Sequence, residues 1–94
     1  MSDEFTVERQ PNRYVIHLAP GFEAEMTFRA VSPGVLAVDH TFTPPEYRGR
    51  DIAAKLMHRL VADAEAEGTR IIPLCSYVAA QFKRHPEWAG LLAD

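Results

Sequence analysis

The chain has 94 residues, of which 47% are hydrophobic and 24% charged, and its formal net charge at pH 7 is −3. This composition predicts a single soluble globular domain over residues 1–94, with a modest core. It excludes a membrane span, because no apolar run approaches the roughly 18–20 residues that a span requires. It also excludes general nucleic-acid binding, since basic residues cluster only around Arg48 and around Arg84.

Two features bear on the compartment and on metals. The N-terminal residues 1–4 are acidic and lack the basic-then-apolar pattern of a signal peptide. The single cysteine, Cys75, excludes an intramolecular disulfide and fits a reducing compartment, so the sequence predicts a cytoplasmic protein. His17 and His58 have no metal-ligand spacing with one another or with Cys75, and no metal site is predicted.

The first half of the chain has the patterns of strands. Residues 5–9 and 13–18 alternate between apolar and polar side chains, and residues 23–31 alternate again. A Ser-Pro-Gly turn then leads into an apolar run at 35–43. Because short turns join all four segments, the sequence predicts an antiparallel meander.

The second half changes to a helical period. Apolar residues recur every four positions within 51–67, and Gly68 is predicted to end this helix. The run at 69–74 is predicted to be a buried strand, parallel to 35–43 through a right-handed crossover. Ser76 is predicted to cap a second helix that ends near Arg84. The predicted fold class is therefore α+β (α/β), a meander followed by a β-α-β crossover and a C-terminal helix.

A basic, glycine-containing loop connects the fourth strand to the first helix. Loops of this kind present free backbone N–H groups at a helix N-terminus, where the helix dipole favours phosphate oxygens. Neither the Walker pattern nor the dinucleotide pattern of glycines is present. The loop therefore predicts a seat for a phosphorylated ligand outside those two classes.

The segment Arg48-Gly49-Arg50-Asp51-Ile52-Ala53 resembles the acyl-coenzyme A loop of the GNAT N-acetyltransferase superfamily, which reads Arg/Gln-x-x-Gly-x-Gly/Ala. Three further blocks resemble the small single-domain GNAT-like (YjdJ-type) proteins of that superfamily. They are Asp39-His40-Thr41, Leu74-Cys75-Ser76-Tyr77-Val78 and Arg84-His85-Pro86-Glu87-Trp88. The resemblance covers residues 35–88, and it implies a minimal GNAT-like fold.

The resemblance also implies where acetyl-coenzyme A binds. The pantetheine arm is expected between the splayed ends of strands 35–43 and 70–74, and the pyrophosphate on the N–H groups of residues 48–53. Arg48 and Arg50 are expected to add charge-assisted hydrogen bonds, the alternative being that both are solvated loop charges. The remaining residues assigned to the coenzyme are Phe42, Thr43, Gly49, Ile52, Ala53, Ser76, Lys83 and Arg84. For Ser76 a helix-capping role is the alternative, and Lys83 and Arg84 equally suit a helix C-terminus.

Asp51 departs from the superfamily pattern, which usually has glycine at this position. Its Cβ and its charge would lie close to the expected pyrophosphate, and at about 5 Å the repulsion would be about 1–3 kcal/mol. Alternatively, Asp51 favours the first turn of the helix as an N-terminal cap, worth about 0.5–2 kcal/mol. The sequence thus predicts weaker coenzyme binding than a glycine variant would have.

Cys75 and His40 are the candidate catalytic residues. A thiol beside an imidazole can be activated to accept an acyl group, or His40 alone can deprotonate an incoming amine. The alternatives are a small buried side chain for Cys75 and a structural hydrogen-bonded role for His40. Tyr77 has two interpretations as well, a proton donor to the departing thiolate or a packing residue.

The resemblance implies a leading function and two alternatives. The first is transfer of an acetyl group from acetyl-coenzyme A to an unidentified amine of a small molecule, peptide or protein. The alternatives are a module that binds acetyl-coenzyme A without efficient transfer, and a GNAT-derived interaction domain without coenzyme. Because the chain is short, the acceptor site is expected to be shallow and open, or completed by a second copy or another protein.

Overall fold

The computed structural model of the chain describes residues 5–93. The interpretation of the acidic N-terminus concerns residues 1–4, which lie outside the described residues.

The observed elements confirm the predicted order of strands and helices. They are β1 Val7–Gln10, β2 Arg13–Ala19, β3 Phe22–Ser32, β4 Val35–Phe42, α1 Ile52–Glu67, β5 Arg70–Pro73 and α2 Ser76–Arg84. Two short 3-10 helices complete them, at Pro45–Tyr47 and Pro86–Leu91. The strands form one sheet in the order β1-β2-β3-β4-β5, in which β1 to β4 are antiparallel and β5 is parallel to β4.

The core lies between the sheet and the two helices. It is built from side chains at alternate strand positions and from one face of each helix, including Tyr14, Ile16, Met26, Leu56, Leu60, Val78 and Phe82. Full burial of an aliphatic or aromatic side chain of this size contributes about 1.5–3 kcal/mol. This packing explains the four-residue apolar period of α1, because the residues that recur with this period form the face that covers the meander. Within residues 5–93, neither helix is long and apolar enough to cross a bilayer.

A carboxylate on α1 ties this helix to the meander. Asp63 accepts hydrogen bonds from the Tyr14 hydroxyl at 2.7 Å, from Arg59 Nε at 3.0 Å and from Arg9 Nη1 at 3.2 Å. Partial burial raises the pKa of Asp63, but the hydrogen bonds from Tyr14 and Arg59 outweigh it and hold this pKa below its usual value. Burial and the bond to Asp63 raise the pKa of Tyr14. The side chain of Asp63 is therefore an ionised acceptor shared by three donors.

The predicted caps of the two helices have different outcomes. Gly68 ends α1 in the left-handed conformation, with φ of 70°, and its N–H donates to the Ala64 carbonyl, as predicted. The predicted cap at Ser76 is wrong, because Ser76 is the first residue of α2 and Cys75 occupies the N-cap position. No side chain makes a capping hydrogen bond there.

Replacing Gly68 by alanine is expected to lower the free energy of unfolding by about 1 kcal/mol, because a Cβ is strained at positive φ. No atom lies within 4 Å of the position that the Cβ would take, so a steric clash adds nothing. Urea denaturation measures the change. Gly90→Ala is the control, since Gly90 has the same free space without a positive φ. Equal effects of the two substitutions would contradict the explanation.

The parallel strands β4 and β5 separate at their carboxyl ends, where β4 leads to the loop. Their pairing begins at Val35 with Arg70 and ends at Val38 with Pro73. The N–H groups of Leu74 and Cys75 then both donate to the Val38 carbonyl, each at 3.0 Å. Because β4 continues to Phe42 beyond this point, its last residues have no partner in β5.

Candidate functional site

A cavity of about 700 Å³ lies between the loop after β4, the start of α1 and one face of α2. It lies at the carboxyl end of β4, where open α/β sheets bind ligands. The predicted coenzyme residues that line this groove are Thr43, Arg48, Gly49, Asp51, Ile52, Ala53 and Arg84. The groove thus brings the loop and the first turn of α1 together with Arg84, the last residue of α2.

The first turn of α1 supplies unpaired donors to the groove. The first bond of the helical pattern runs from the Lys55 N–H to the Asp51 carbonyl at 3.2 Å. The N–H groups of Ile52, Ala53 and Ala54 precede this bond and have no partner within the helix, and no side chain caps them. These donors and the helix dipole favour an anion at this end of the groove.

Asp51 begins α1 in a strained conformation. Its φ of 59° and ψ of 25° are left-handed, and it is the one non-glycine residue with positive φ among residues 5–93. The alternative of a capping bond does not hold, because an N-cap side chain needs extended backbone and the side chain of Asp51 makes no capping bond. The exposed carboxylate lines the groove instead. Glycine, which the superfamily pattern has here, would adopt this backbone without strain.

The two loop arginines have different surroundings. Arg48 lines the groove, and its Nε donates to the Thr43 carbonyl at 3.1 Å, which braces the loop. The guanidinium of Arg50 lies 5.2 Å from the centre of the Tyr47 ring, and Arg50 is not among the lining residues. Arg48 is therefore the one of the two that faces a ligand in the groove.

Thr43 contributes a buried hydroxyl to the same wall. Its Oγ1 is inaccessible to solvent and has no hydrogen-bond partner among residues 5–93. Leaving such a group unpaired costs about 1–3 kcal/mol. A ligand with hydrogen-bonding oxygens or amides would satisfy it. The residues present thus fit a phosphorylated, amide-containing molecule such as coenzyme A.

Tyr77 lies on the α2 side of the groove and keeps its proton. Burial raises the pKa of its hydroxyl, the charge of Asp51 raises it further, and that of Arg84 lowers it in part. The phenol is therefore neutral at physiological pH and available as a hydrogen-bond or proton donor. It stands within electrostatic range of both Asp51 and Arg84.

Several lining residues went unrecognised in the sequence, namely Tyr47, Ala54, His58 and Gln81. For Ala54, His58 and Gln81 the signal was helical spacing. Gln81 follows Tyr77 by four residues and precedes His85 by four, on the face next to that of the buried Val78 and Phe82. Likewise His58 follows Ala54 by four on α1.

Four of the predicted coenzyme residues do not line the groove. They are Phe42, Arg50, Ser76 and Lys83, and all four are exposed. Phe42 lies where β4 runs on beyond β5, which is the expected position of the pantetheine arm.

Cys75 contacts a residue other than His40. The Cys75 thiol is buried and donates to Thr41 Oγ1 at 3.4 Å. Thr41 pairs with Met26, on the helix side of the sheet. His40 pairs with Thr27 and stacks on Phe42 with ring centroids 6.5 Å apart, on the opposite, open face. The sheet thus separates the imidazole from the thiol.

Residues 13–91 match the family model of the GCN5-related N-acetyl-transferases. No curated protein is significantly similar to the chain in sequence. A solution structure of a GCN5-like candidate N-acetyltransferase from Staphylococcus aureus has a TM-score of 0.76 and 22% identity, covering 94% of this chain and 87% of that one. At this identity the likeness shows the fold. Because the family model spans most of its length, the chain belongs to the GCN5-related N-acetyltransferase family.

Proposed function

We propose that the chain transfers the acetyl group of acetyl-coenzyme A to an amine. One observation carries the proposal. In a chain of this family, a groove at the carboxyl end of β4 is lined by the first turn of α1, whose first N–H groups have no partner within the helix. Acetyl-coenzyme A is the co-substrate, and the acceptor is an unidentified amine of a small molecule, peptide or protein. A reducing cytoplasm would keep Cys75 as a free thiol.

The phosphates of the coenzyme suit the loop end of the groove. The N–H groups of Ile52, Ala53 and Ala54 would hold the pyrophosphate, and Arg48 would add a charge-assisted hydrogen bond. The Thr43 hydroxyl would gain the partner that it lacks within residues 5–93. The coenzyme supplies an activated acetyl thioester, and the protein orients it.

The pantetheine arm suits the separation of the parallel strands. Beyond Val38 the edge of β4 has backbone groups that β5 does not pair with. Amides of an extended arm are well matched to such groups, as in strand addition to a sheet edge. Where the strands separate, the Cys75 thiol that follows β5 contacts the Thr41 hydroxyl on β4.

A covalent route through Cys75 is the first of two mechanisms that these residues support. The Cys75 sulfur attacks the thioester carbonyl, so that a bond to sulfur forms and the bond to the coenzyme sulfur breaks. The coenzyme sulfur takes up one proton from the neutral phenol of Tyr77, and the phenolate takes up the proton that the Cys75 thiol releases. The amine then attacks the acetyl-cysteine, and the released thiol regains a proton. Thr41 orients the thiol through its hydroxyl.

Direct attack by the amine is the second mechanism. His40 is exposed on the open face of the sheet, which both helices leave uncovered. From there its imidazole would take the proton of an incoming amine as that amine attacks the thioester. This route needs no contact between His40 and Cys75, which agrees with their separation by the sheet.

A binding or sensing module is the alternative function, and Asp51 favours it. A carboxylate beside the phosphate seat weakens the hold on a polyanion. Binding of acetyl-coenzyme A without transfer to any of a panel of amines would support this alternative. Absence of binding would instead support an interaction domain that has lost the coenzyme.

Incubation with acetyl-coenzyme A is expected to add one acetyl group to the wild-type chain and none to Cys75→Ala, as measured by intact mass. The adduct should be cleaved by hydroxylamine, because it is a thioester. Turnover of a reactive amine is expected to fall by at least about a hundredfold in Cys75→Ala, as for loss of a nucleophile. Absence of an adduct together with full turnover in Cys75→Ala would eliminate the covalent route and leave the one through His40.

A further inference from the structure

A β-bulge in β4 places two polar side chains next to one another on the open face of the sheet. Thr27 pairs with His40, whereas the next residue of β3, Phe28, pairs with Val38, so that Asp39 is an extra residue. Thr27 points away from the helices, because both of its neighbours in β3 lie in the core. Its hydroxyl donates a hydrogen bond to the Asp39 carboxylate, which therefore lies on the open face as His40 does. Bulges often re-aim side chains in this way next to active sites.

The Asp39 carboxylate has no counter-charge, in contrast to the two carboxylates of β3 on the same face. Glu23 and Glu25 both pair with Arg13, at 3.2 and 2.9 Å. Within residues 5–93 Asp39 forms no ion pair, either with Arg29 on this face or with any other cation, and its one side-chain partner is a neutral hydroxyl. A single exposed and unmatched negative charge therefore lies beside the imidazole of His40.

This pair of side chains lies where the parallel strands part. The pairing of β4 with β5 ends at Val38, and Asp39 and His40 are the next two residues of β4. The groove lies on the other side of the sheet, against the two helices. A molecule that approached the gap between the strands from the open face would therefore meet the carboxylate and the imidazole together.

We propose that the acceptor is a short aliphatic diamine, that Asp39 binds one of its amino groups as an ammonium, and that His40 takes the proton of the other as it reacts. This inference rests on the proposed function and on its direct route. The reacting nitrogen forms a bond to the thioester carbon, and the carbon–sulfur bond breaks. The proton of the nitrogen goes to the imidazole, and the electron pair leaves on the coenzyme sulfur. Asp39 takes no part in these bond changes and acts by binding the substrate.

The number of unmatched charges favours a diamine over a basic peptide. A peptide with several cations would need several free carboxylates, but those of Glu23 and Glu25 are already paired with Arg13. One free carboxylate beside one imidazole matches a ligand with one ammonium and one reacting amine. The two residues are adjacent on a strand, which suits a short spacing between the two nitrogens.

The test compares putrescine, a four-carbon diamine, with the aminobutanol of the same length, which has a hydroxyl in place of the second amine. Release of coenzyme A from acetyl-coenzyme A gives kcat/KM for each, and the value for putrescine is halved because it has two equivalent amines. The wild type is expected to prefer putrescine by about fivefold, mainly through a lower KM, as for one exposed ion pair. The preference should shrink at high salt.

Asp39→Asn is expected to lower this preference to less than about twofold, through a higher KM for putrescine. Asparagine keeps the shape of the side chain and an oxygen that can accept the bond from Thr27, so the bulge is retained. Glu65→Gln is the matched control, because it removes a carboxylate charge from an exposed position on α1, and it should keep the preference.

The possible outcomes separate this inference from the proposed function. A wild type that acetylates amines without preferring putrescine, or a preference that Asp39→Asn leaves intact, would overturn the inference alone. An equal loss of preference in Glu65→Gln would assign the effect to net charge and would also overturn it. Faster acetylation of a lysine-rich peptide than of putrescine would replace the diamine by a peptide acceptor. If no amine is acetylated, the proposed function fails, and the inference fails with it.

Discussion

Replacement of Asp51 by glycine is expected to tighten the binding of acetyl-coenzyme A by about tenfold to a hundredfold. The wild-type carboxylate lines the groove beside the unpaired N–H groups of α1. Its repulsion of a phosphate at about 5 Å is about 1–3 kcal/mol per unit charge. Arg48 is present in both proteins and therefore does not change the difference.

A second effect of the glycine is on the backbone. Asp51 has positive φ and makes no capping hydrogen bond, so its carboxylate brings none of the usual gain of a cap. The strain of a left-handed residue is about 1 kcal/mol, and glycine relieves it while adding entropy to the unfolded chain. The free energy of unfolding is therefore expected to change by less than about 1 kcal/mol. A large change in affinity with little change in stability is the expected signature.

Asp51→Asn separates charge from shape. It keeps the Cβ and tolerates the left-handed conformation, but removes the negative charge. If repulsion dominates, asparagine should recover most of the gain in affinity, and calorimetry at low and high salt should show a smaller difference at high salt. Equal affinities of wild type, Asp51→Asn and Asp51→Gly would contradict the account of this residue.

The sequence was sufficient to predict the meander, the crossover and the loop because each has a local cause. Alternation marks the strands, the four-residue period marks α1, and Gly68 has the positive φ that its position suggested. Apart from Tyr77 and Arg84, the groove could be predicted only on the loop side. Its other wall comes from one face of α2, whose approach to α1 depends on tertiary packing.

The relation of His40 to Cys75 could not be predicted, because a bulge changes the register of β4. Thr27 pairs with His40 while the next residue, Phe28, pairs with Val38, so that Asp39 is an extra residue. Simple alternation from Val38 would turn His40 toward the helix side, where Cys75 lies. The bulge turns Thr41 to that side instead, and Thr41 meets the thiol.

Replacement of Asp63 by alanine is expected to lower the free energy of unfolding by about 2–3 kcal/mol, because three donors lose one acceptor. The Tyr14 ring is fully buried, so its hydroxyl would be left without a partner. Arg59 would lose its charge partner, and Arg9 would keep only Glu67. The midpoint of thermal unfolding should fall by about 10–20 °C in a domain of this size. Glu65→Ala, an exposed carboxylate on the same helix, is the control and should change stability by less than about 0.5 kcal/mol.

The contribution of Asp63 should also depend on pH in a defined direction. The pKa of its carboxyl is lower in the folded chain than in the unfolded one, so the folded state favours the ionised form. The resulting stability is fully present above the unfolded pKa of about 3.9 and is lost as pH falls through the lower, folded pKa. Urea denaturation between pH 7 and about 2.5 should therefore show less acid destabilisation in Asp63→Asn than in wild type.

A double-mutant cycle identifies the partner that matters most. Tyr14→Phe removes the hydroxyl, so the loss of Asp63 in that background should cost about 1 kcal/mol less than in wild type. A full, undiminished cost would assign the effect of Asp63 to its arginine partners. Because the proposed phosphate site is at the other end of α1, we expect the stability of this junction to affect how firmly the first turn is held against the sheet. Acetyl-coenzyme A binding in Asp63→Ala should consequently weaken only at temperatures where the variant begins to unfold, and weakening well below that range would show that Asp63 also shapes the groove.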